Sequence, residues 1–226
     1  MDHVDNIERL LTLMTGDEKH DLASYSTLDV LRVLYERVLA VSPEAVDDPH
    51  RDRFLLSKGH GPSAYYAVLC DRGFIPESWL GTWATFDSPL GYHPDRNLVP
   101  GVEIASGSLG HGLPLAVGMA HGLLALGLAE PRVYVLVGDA ELDEGSNNEA
   151  IVYAGAAGLP NLTVVAVDNH SSSWGWGAGG IEAHFAVSGW AVERVDGRDH
   201  AALSAALGVR ESGGPRLVVA QVEGKE

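Results

Sequence analysis

The sequence predicts an α/β fold, namely a three-layer, doubly wound and mostly parallel sheet with helices on both faces. Four apolar runs rich in β-branched residues lack the polar alternation of a half-exposed strand. Helical stretches separate these runs, which is how parallel strands buried on both faces are connected. With 226 residues, 46% of them hydrophobic, the chain is long enough to bury such a core as one domain, 1–226.

The first half of the sequence predicts two helices and a long loop. Ser26–Asp29 has the pattern of a capping box, which would start a helix ending near residue 40. Its apolar face recurs at helical spacing: Leu28, Leu31, Leu34 and Val38. Residues 43–53 read as a surface connection, and a second helix runs from about 62 to 73. Residues 76–101 are irregular, and loops of this length inside compact domains are usually functional.

The second half of the sequence alternates helices with strands. The predicted helices cover about residues 112–129, 144–158 and 199–207. The predicted strands cover residues 132–137, 162–167, 190–195 and 216–222. The stretch 112–129 is apolar enough for a membrane span but contains His111 at its edge, His121 and several glycines. We therefore expect a buried, tightly packed helix rather than a transmembrane one.

Charge and cysteine content exclude several classes of function. Thirty-one acidic residues against fifteen basic ones give a formal net charge of −16, without a lysine or arginine cluster. We therefore expect neither nucleic acid nor an anionic membrane as a partner. The single Cys70 cannot form an internal disulfide, and the first residues lack a basic segment followed by an apolar run. A reducing, cytoplasmic location is the resulting expectation.

Polar residues follow two of the predicted strands directly. Gly138-Asp139-Ala140 comes after the first strand, and Asp168-Asn169 comes after the second. Ligands of doubly wound sheets gather at the carboxyl ends of strands, and Mg²⁺ prefers such oxygen donors. A glycine before Asp139 permits close backbone approach to an anion, toward which the helix from about Glu144 directs its free N–H groups. From the residues alone, an ordinary strand-end aspartate and a turn asparagine are the more common interpretation, and the metal site stays open beside it.

Several ordered motifs resemble those of the transketolases. Residues 138–169 resemble their thiamine diphosphate motif, which begins G-D-G and ends in an asparagine about thirty residues later. Residues 51–61 are similar to the family's S-x-G-H segment, and 91–94 to its G-H-P segment. Residues 100–112 resemble its P-G-V-E and G-x-L-G-Q-G stretch. The sequence is thus identified as a member of the transketolase family, which implies the thiamine diphosphate-binding fold.

The resemblance assigns roles to individual positions. Asp139 and Asn169 would bind Mg²⁺ through their side chains, with the carbonyl of Ser171 as a third protein ligand. The coenzyme would be bound by residues at the same strand ends and in the preceding loop: Gly107, Leu109, Gly138, Asp139, Ala140, Glu144 and Asn169. Glu144 would also join a charge network between coenzyme sites.

Histidines would assist the chemistry, because their pKa lies near neutrality. His60 and His93 match family histidines near the diphosphate and the substrate hydroxyls. His20 falls where the family has a histidine, but its neighbours differ, so a catalytic and a surface role both stay open. His111 and His121 are expected to pack or to face solvent, and a solvated position is expected for Asp143.

Two positions depart from the family pattern. Ala140 replaces the third glycine of G-D-G, and His170 replaces the glycine after the asparagine. Alanine would be tolerated at a negative φ and would cost about 1 kcal/mol at a positive one. The run 171–180 would either close over the coenzyme or form a mobile linker.

The expected function is that of one subunit of a two-component enzyme. The sequence ends at Glu226, where the family would continue with a pyrimidine-binding domain that carries the glutamate needed for coenzyme activation. We expect a second polypeptide to supply that domain in an α2β2 heterotetramer, which would transfer a two-carbon ketol unit from a ketose or keto acid to an aldehyde. The alternatives are a subunit that decarboxylates 2-keto acids or forms acyloins, and a non-catalytic regulatory subunit.

Overall fold

The computed structural model describes residues 3–15, 21–210 and 213–224 and shows one parallel sheet between two layers of helices. Its strands are β1 Arg53–Leu56, β2 Val133–Gly138, β3 Leu162–Asp168, β4 Ala191–Asp196 and β5 Arg216–Gln221, in the order β1-β2-β3-β5-β4. Its helices are α1 His3–Leu11, α2 Asp21–Val33, α3 Ser63–Asp71, α4 Gly112–Ala125, α5 Gly145–Ala157, α6 Gly180–Ala186 and α7 His200–Leu207. The predicted fold class is confirmed.

Each face of the sheet buries its own apolar core. Along β2, Tyr134 and Leu136 face one core, whereas Val133, Val135 and Val137 face the other. The first core is completed by α1, α2, α3 and α7, and the second by α4, α5 and α6. Successive residues of a strand point to opposite faces, so an uninterrupted apolar run fills both cores at once.

The first long helix starts earlier than the sequence predicts. α2 begins at Asp21 and continues beyond Val33 as a π-helical turn, Leu34–Val38. The predicted capping box at Ser26–Asp29 is therefore wrong. These side chains serve other partners: the Thr27 hydroxyl donates to the carbonyl of Ser24, and Asp29 accepts from Arg198 and His200.

Two strands differ from the prediction. The sequence predicts no strand at β1, whose residues fall in the expected surface connection 43–53 and the motif 51–61. Its four residues nevertheless pair in parallel with β2, from Arg53 opposite Val133 to Leu56 opposite Leu136. The sequence also predicts β4 as a buried strand, yet β4 pairs with β5 at the end of the strand order and is mostly exposed. Hydrophobicity alone does not show that a strand lies at an edge.

The apolar helix α4 is buried on one side only. Leu113, Val117 and Ala120 lie in the core, whereas Leu115 is 47% exposed, so the predicted buried helix packs through one face and exposes the other. Among residues 3–15, 21–210 and 213–224, no helix is long and apolar enough to cross a membrane.

One glycine in α4 and one in α5, two of the helices that cover the second core, test this packing. A Cβ on Gly155 of α5 would lie 1.8 Å from the carbonyl oxygen of Ser188, whereas one on Gly118 of α4 would meet nothing within 4 Å. We expect Gly155→Ala to lower the free energy of unfolding by about 2 kcal/mol or more through overpacking. Gly118→Ala should raise it by about 0.5–1 kcal/mol because alanine favours helix. Urea unfolding of both variants measures this, and equal effects would contradict the packing of α5.

Candidate functional site

The carboxyl ends of β2 and β3 bring the two predicted metal ligands to one edge of the sheet. Gly138 is in register with Val167, and the N–H of Asp139 donates to the Val167 carbonyl at 3.1 Å. Asp139 directly follows β2, and Asn169 directly follows β3. Both side chains are 1% exposed. Sequence spacing thus identified two buried oxygen-bearing side chains at adjacent strand ends.

The Asp139 carboxylate is held by the segment after β3. It accepts hydrogen bonds from the N–H and the hydroxyl of Ser171, both at 2.6 Å, and from the N–H of Ser172 at 3.1 Å. Ser171 therefore lies beside Asp139 and donates to it through its N–H and its hydroxyl. A role of its carbonyl as a metal ligand stays a prediction.

Asn169 is a buried amide whose polar atoms are unpaired within the described part of the chain. Neither its Oδ1 nor its Nδ2 has a hydrogen-bond partner among residues 3–15, 21–210 and 213–224. Leaving a buried polar group unpaired costs about 1–3 kcal/mol, so such groups in folded proteins call for an explanation. Amide and carboxylate oxygens from adjacent strand ends are donors that suit Mg²⁺, with phosphate oxygens and water completing its coordination.

A metal site made only of side chains is absent from the described ranges. No group of three or more His, Cys, Asp or Glu side chains there could hold a metal ion. Asp139 and Asn169 could therefore hold Mg²⁺ only with further donors, and a bound diphosphate would supply them.

The two departures from the family pattern have different backbone conformations. Ala140 is not among the non-glycine residues with positive φ, whereas His170 has φ of 56°. A left-handed conformation is disfavoured for side chains with a Cβ, so the strained departure is His170 and not Ala140. The His170 side chain is exposed, and its Nδ1 lies 3.5 Å from Oδ1 of Asp168.

Two of the three predicted catalytic histidines lie together. The ring centroids of His60 and His93 are 5.8 Å apart, and both residues are exposed. A Cβ on Gly59 would come within 3.0 Å of the His93 ring, and one on Gly107 within 3.1 Å. Gly107 also has φ of 123°, so glycine is needed there for both conformation and space. The third predicted histidine, His20, lies outside the described residues.

The loop before α4 docks onto the start of α5. The Ser146 hydroxyl donates to the Gly110 carbonyl at 2.7 Å, and a Cβ on Gly110 would lie 2.7 Å from the Cβ of Glu144. Glu144 is exposed, and Leu109, next to Gly110 in the chain, presents 36% of its surface to solvent. The structure therefore places the predicted coenzyme contacts Leu109 and Glu144 on neighbouring segments.

The segment after Asn169 is tied down at its start. Asp143 accepts a hydrogen bond from the Ser172 hydroxyl at 3.2 Å and from the Ser173 N–H at 3.3 Å. Asp143 is therefore partly exposed, and besides solvent it has protein partners that the sequence did not indicate. His121 faces solvent as expected, with its Nδ1 3.0 Å from the Tyr153 hydroxyl, and His111 is likewise exposed.

A cavity of about 360 Å³ adjoins the predicted metal ligands. Asp139, His170, Trp176 and Arg194 are among the residues that line it. Arg194 donates to Asp168 at 2.9 Å and also pairs with Glu182, and hydrogen bonds to these carboxylates raise the pKa of its guanidinium. The positive charge that Arg194 brings to the cavity is therefore balanced by the carboxylates of Asp168 and Glu182.

Sequence reasoning missed Glu141. It lies in a 3₁₀ turn after Asp139, is 2% exposed, and accepts hydrogen bonds from the Ser57 hydroxyl and the N–H groups of Gly110 and Gly138. Burial raises the pKa of this carboxyl, opposed by these donors. Three acids lie within residues 141–144, and nothing in the sequence marks the buried one.

Lys58 was also missed. It is 8% exposed, and its ammonium donates to the Ser26 hydroxyl at 3.1 Å. A Cβ on Gly138 would lie 3.3 Å from the Cδ of Lys58. Glycine at position 138 therefore makes room for this side chain, in addition to the predicted approach of an anion.

Comparison with known proteins supports the resemblance. A family model described as the thiamine diphosphate binding domain of transketolase matches residues 7–221. One of the subunits of an apulose-4-phosphate transketolase from Actinobacillus succinogenes is 45% identical over 146 residues, which cover 65% of this chain and 52% of the relative. The transketolase of Leishmania mexicana has a TM-score of 0.77 at 26% identity, covering 96% of this chain and 36% of that one.

A protein named ferredoxin fas2, from Rhodococcoides fascians, is 53% identical over 218 residues, which cover 96% of this chain and 71% of the relative. Iron–sulfur clusters are held by about four cysteine thiolates. With the single Cys70, this chain lacks such a ligand set. The family match and the shared fold agree, and the chain belongs to the transketolase family through its thiamine diphosphate-binding domain.

Proposed function

We propose that this chain is the thiamine diphosphate- and Mg²⁺-binding subunit of a two-component transketolase, which moves a two-carbon ketol unit from a ketose or keto acid to an aldehyde. The observation that carries the proposal is the buried amide of Asn169, which has no hydrogen-bond partner among the described residues, at the strand end adjacent to the one that carries the buried carboxylate of Asp139. In a chain matched by the transketolase coenzyme domain, a divalent cation with its diphosphate is the ligand that fits this pair.

The residues around this pair would divide the work of binding. Asp139 and Asn169 would hold Mg²⁺, with the carbonyl of Ser171 as a further ligand. Backbone and apolar groups of the surrounding segments would contact the coenzyme: Gly107, Leu109, Gly138 and Ala140. The helix α5 begins at Gly145, and the N–H groups of its first turn point out from this end of the helix. Such an end favours a bound anion.

When bound, thiamine diphosphate supplies the stabilised carbanion that makes and breaks the carbon–carbon bond. The neighbouring pair His60 and His93 would bind substrate hydroxyls and move their protons, because an imidazole changes protonation near neutral pH. His20 would join them. Glu144 would contribute to a charge network with a second coenzyme site.

The two-component organisation draws support from a relative. The apulose-4-phosphate transketolase protein is named as one subunit of its enzyme, and this chain aligns with 52% of its length. We infer a partner that carries the pyrimidine-binding domain, in an α2β2 heterotetramer located in the cytoplasm. The φ of Ala140 removes one reason to regard the chain as a degenerate regulatory subunit, because alanine is unstrained there.

The two proposed metal ligands can be tested separately from folding. Without ligands, Asn169→Ala removes an amide that has no hydrogen-bond partner among the described residues and should not lower the free energy of unfolding, whereas Asp139→Ala loses three hydrogen bonds and should lower it by about 3 kcal/mol. Both should weaken Mg²⁺-dependent coenzyme binding by at least about tenfold, measured by calorimetry on the assembled complex.

Asn161 provides the matched control. It precedes β3 just as Asn169 follows it, is 2% exposed, and donates to the Ala120 carbonyl at 3.0 Å. Asn161→Ala should lower stability and leave coenzyme affinity unchanged. Wild-type affinity in the Asn169→Ala complex would refute the proposed ligand pair.

The dependence on a partner is a second prediction. The chain alone, with Mg²⁺ and thiamine diphosphate, should give no ketol transfer, because nothing in its described cleft would activate the pyrimidine ring. Adding a polypeptide that resembles the remaining part of transketolase should give turnover, followed as product formed from ketose phosphates and an aldehyde. An Asp139→Ala chain mixed with the same partner is the negative control. Turnover by the chain alone would contradict the two-component proposal, and products from pyruvate alone would favour a decarboxylase.

A further inference from the structure

One buried carboxylate connects three segments of the site without belonging to the proposed ligand set. Glu141 is 2% exposed and accepts hydrogen bonds from three donors, each of which belongs to a different segment of the chain. Ser57 follows β1, Gly110 lies in the loop before α4, and Gly138 ends β2. The three segments therefore meet at one side chain.

The geometry uses both carboxylate oxygens. Oε1 accepts from the Ser57 hydroxyl and from the N–H of Gly110 at 3.0 Å, and Oε2 accepts from the N–H of Gly138 at 3.4 Å. An ionised carboxylate offers about four acceptor sites, so it can satisfy all three donors together. A neutral amide in its place has one acceptor oxygen and would face at least one donor with an N–H group.

Ser57 extends the same network to α4. Its Oγ also accepts from the N–H of Gly112 at 3.0 Å. A Cβ on Gly112 would lie 2.2 Å from the Cβ of Ser57, so the helix start can approach only because residue 112 is glycine. The loop 107–112 is thus anchored at Gly110 and at Gly112 by groups that depend on Glu141.

Glu141 is itself held in place. The side-chain amide of Asn147, which is fully buried in α5, donates to the Glu141 carbonyl at 2.6 Å. An acceptor that is charged, buried and fixed makes stronger hydrogen bonds than an exposed one.

We propose that Glu141 is a positioning residue, which sets the loop 107–112 against the ends of β1 and β2 in the arrangement that receives the coenzyme. This inference rests on the proposed function, since Gly107, Leu109 and Gly138 are the proposed coenzyme contacts. Glu141 would touch neither coenzyme nor substrate and would act through the backbone of these segments.

The test compares two buried carboxylates at opposite ends of the sheet. Asp52 precedes β1, is 2% exposed, and accepts from the N–H groups of Ala40 and Arg132 and from Arg210. Glu141→Gln and Asp52→Asn both replace a buried carboxylate by an amide. Two quantities are measured: amide hydrogen exchange along the chain without ligands, and thiamine diphosphate affinity of the assembled complex at saturating Mg²⁺.

Glu141→Gln should speed exchange within residues 107–112 by about tenfold and weaken coenzyme affinity by about tenfold, which corresponds to the loss of one charged hydrogen bond. Asp52→Asn should change neither, although it lowers stability. Wild-type exchange in this loop together with wild-type affinity in Glu141→Gln would overturn the inference.

A second variant keeps the test decisive if Glu141→Gln does not fold. Ser57→Ala removes the hydroxyl that joins Glu141 to the Gly112 N–H and should cause a smaller change of the same kind in residues 107–112. Unchanged exchange there would count against the positioning role. If the wild-type complex does not bind thiamine diphosphate, the proposed function fails, while the exchange experiment on the free chain still tests the anchoring by Glu141.

Discussion

The parallel pairing of β2 with β3 is the constraint on which the site depends. It aligns Gly138 with Val167, so the residues that follow the two strands leave the sheet side by side. The strands are held by apolar residues on both faces, which makes their relative position one of the least deformable features of the fold. The packing of the two cores therefore sets the positions of Asp139 and Asn169 at adjacent strand ends.

Close approach of backbone segments is the second constraint, and glycines permit it. Gly112 lets the start of α4 contact Ser57, and Gly59 and Gly107 flank the His93 ring. The loops around the strand ends can therefore pack closely because glycines leave no side chains in the way. Hydrogen bonds to Glu141 and Ser57 then hold the loops in these positions. A cleft built in this way can receive a ligand against backbone N–H groups, which suits an anionic one.

Much of this arrangement could be predicted, for identifiable reasons. The β-branched runs of β2, β3 and β5 indicate buried strands because both of their faces are apolar, and the spacing from Asp139 to Asn169 identifies their polar ends. β1 escaped prediction because four residues are too few for periodicity, and the exposure of β4 depends on strand order. The capping box failed because Asp29 binds Arg198 and His200, residues more than 160 positions away. Glu141 could not be distinguished from Asp143 and Glu144, because its burial follows from a turn and a loop that only the folded chain brings together.

Single buried polar atoms without a partner occur at both ends of the sheet in the described ranges, among them Asn161 Oδ1 and Arg216 Nε at the amino ends, but a side-chain amide unpaired at both of its polar atoms lies at the carboxyl ends. At the amino ends, the buried Asp52 carboxylate has partners on both oxygens and links residue 40 to Arg132 and Arg210. At the carboxyl ends, the Asn169 amide has no partner among the residues that the structure describes, and His170 has a left-handed backbone. Both features cost free energy in the free chain, and the surrounding cores must offset that cost. Because a bound cation would pair the amide and leave the aspartate charge compensated, ligand binding should relieve strain that folding alone leaves in place.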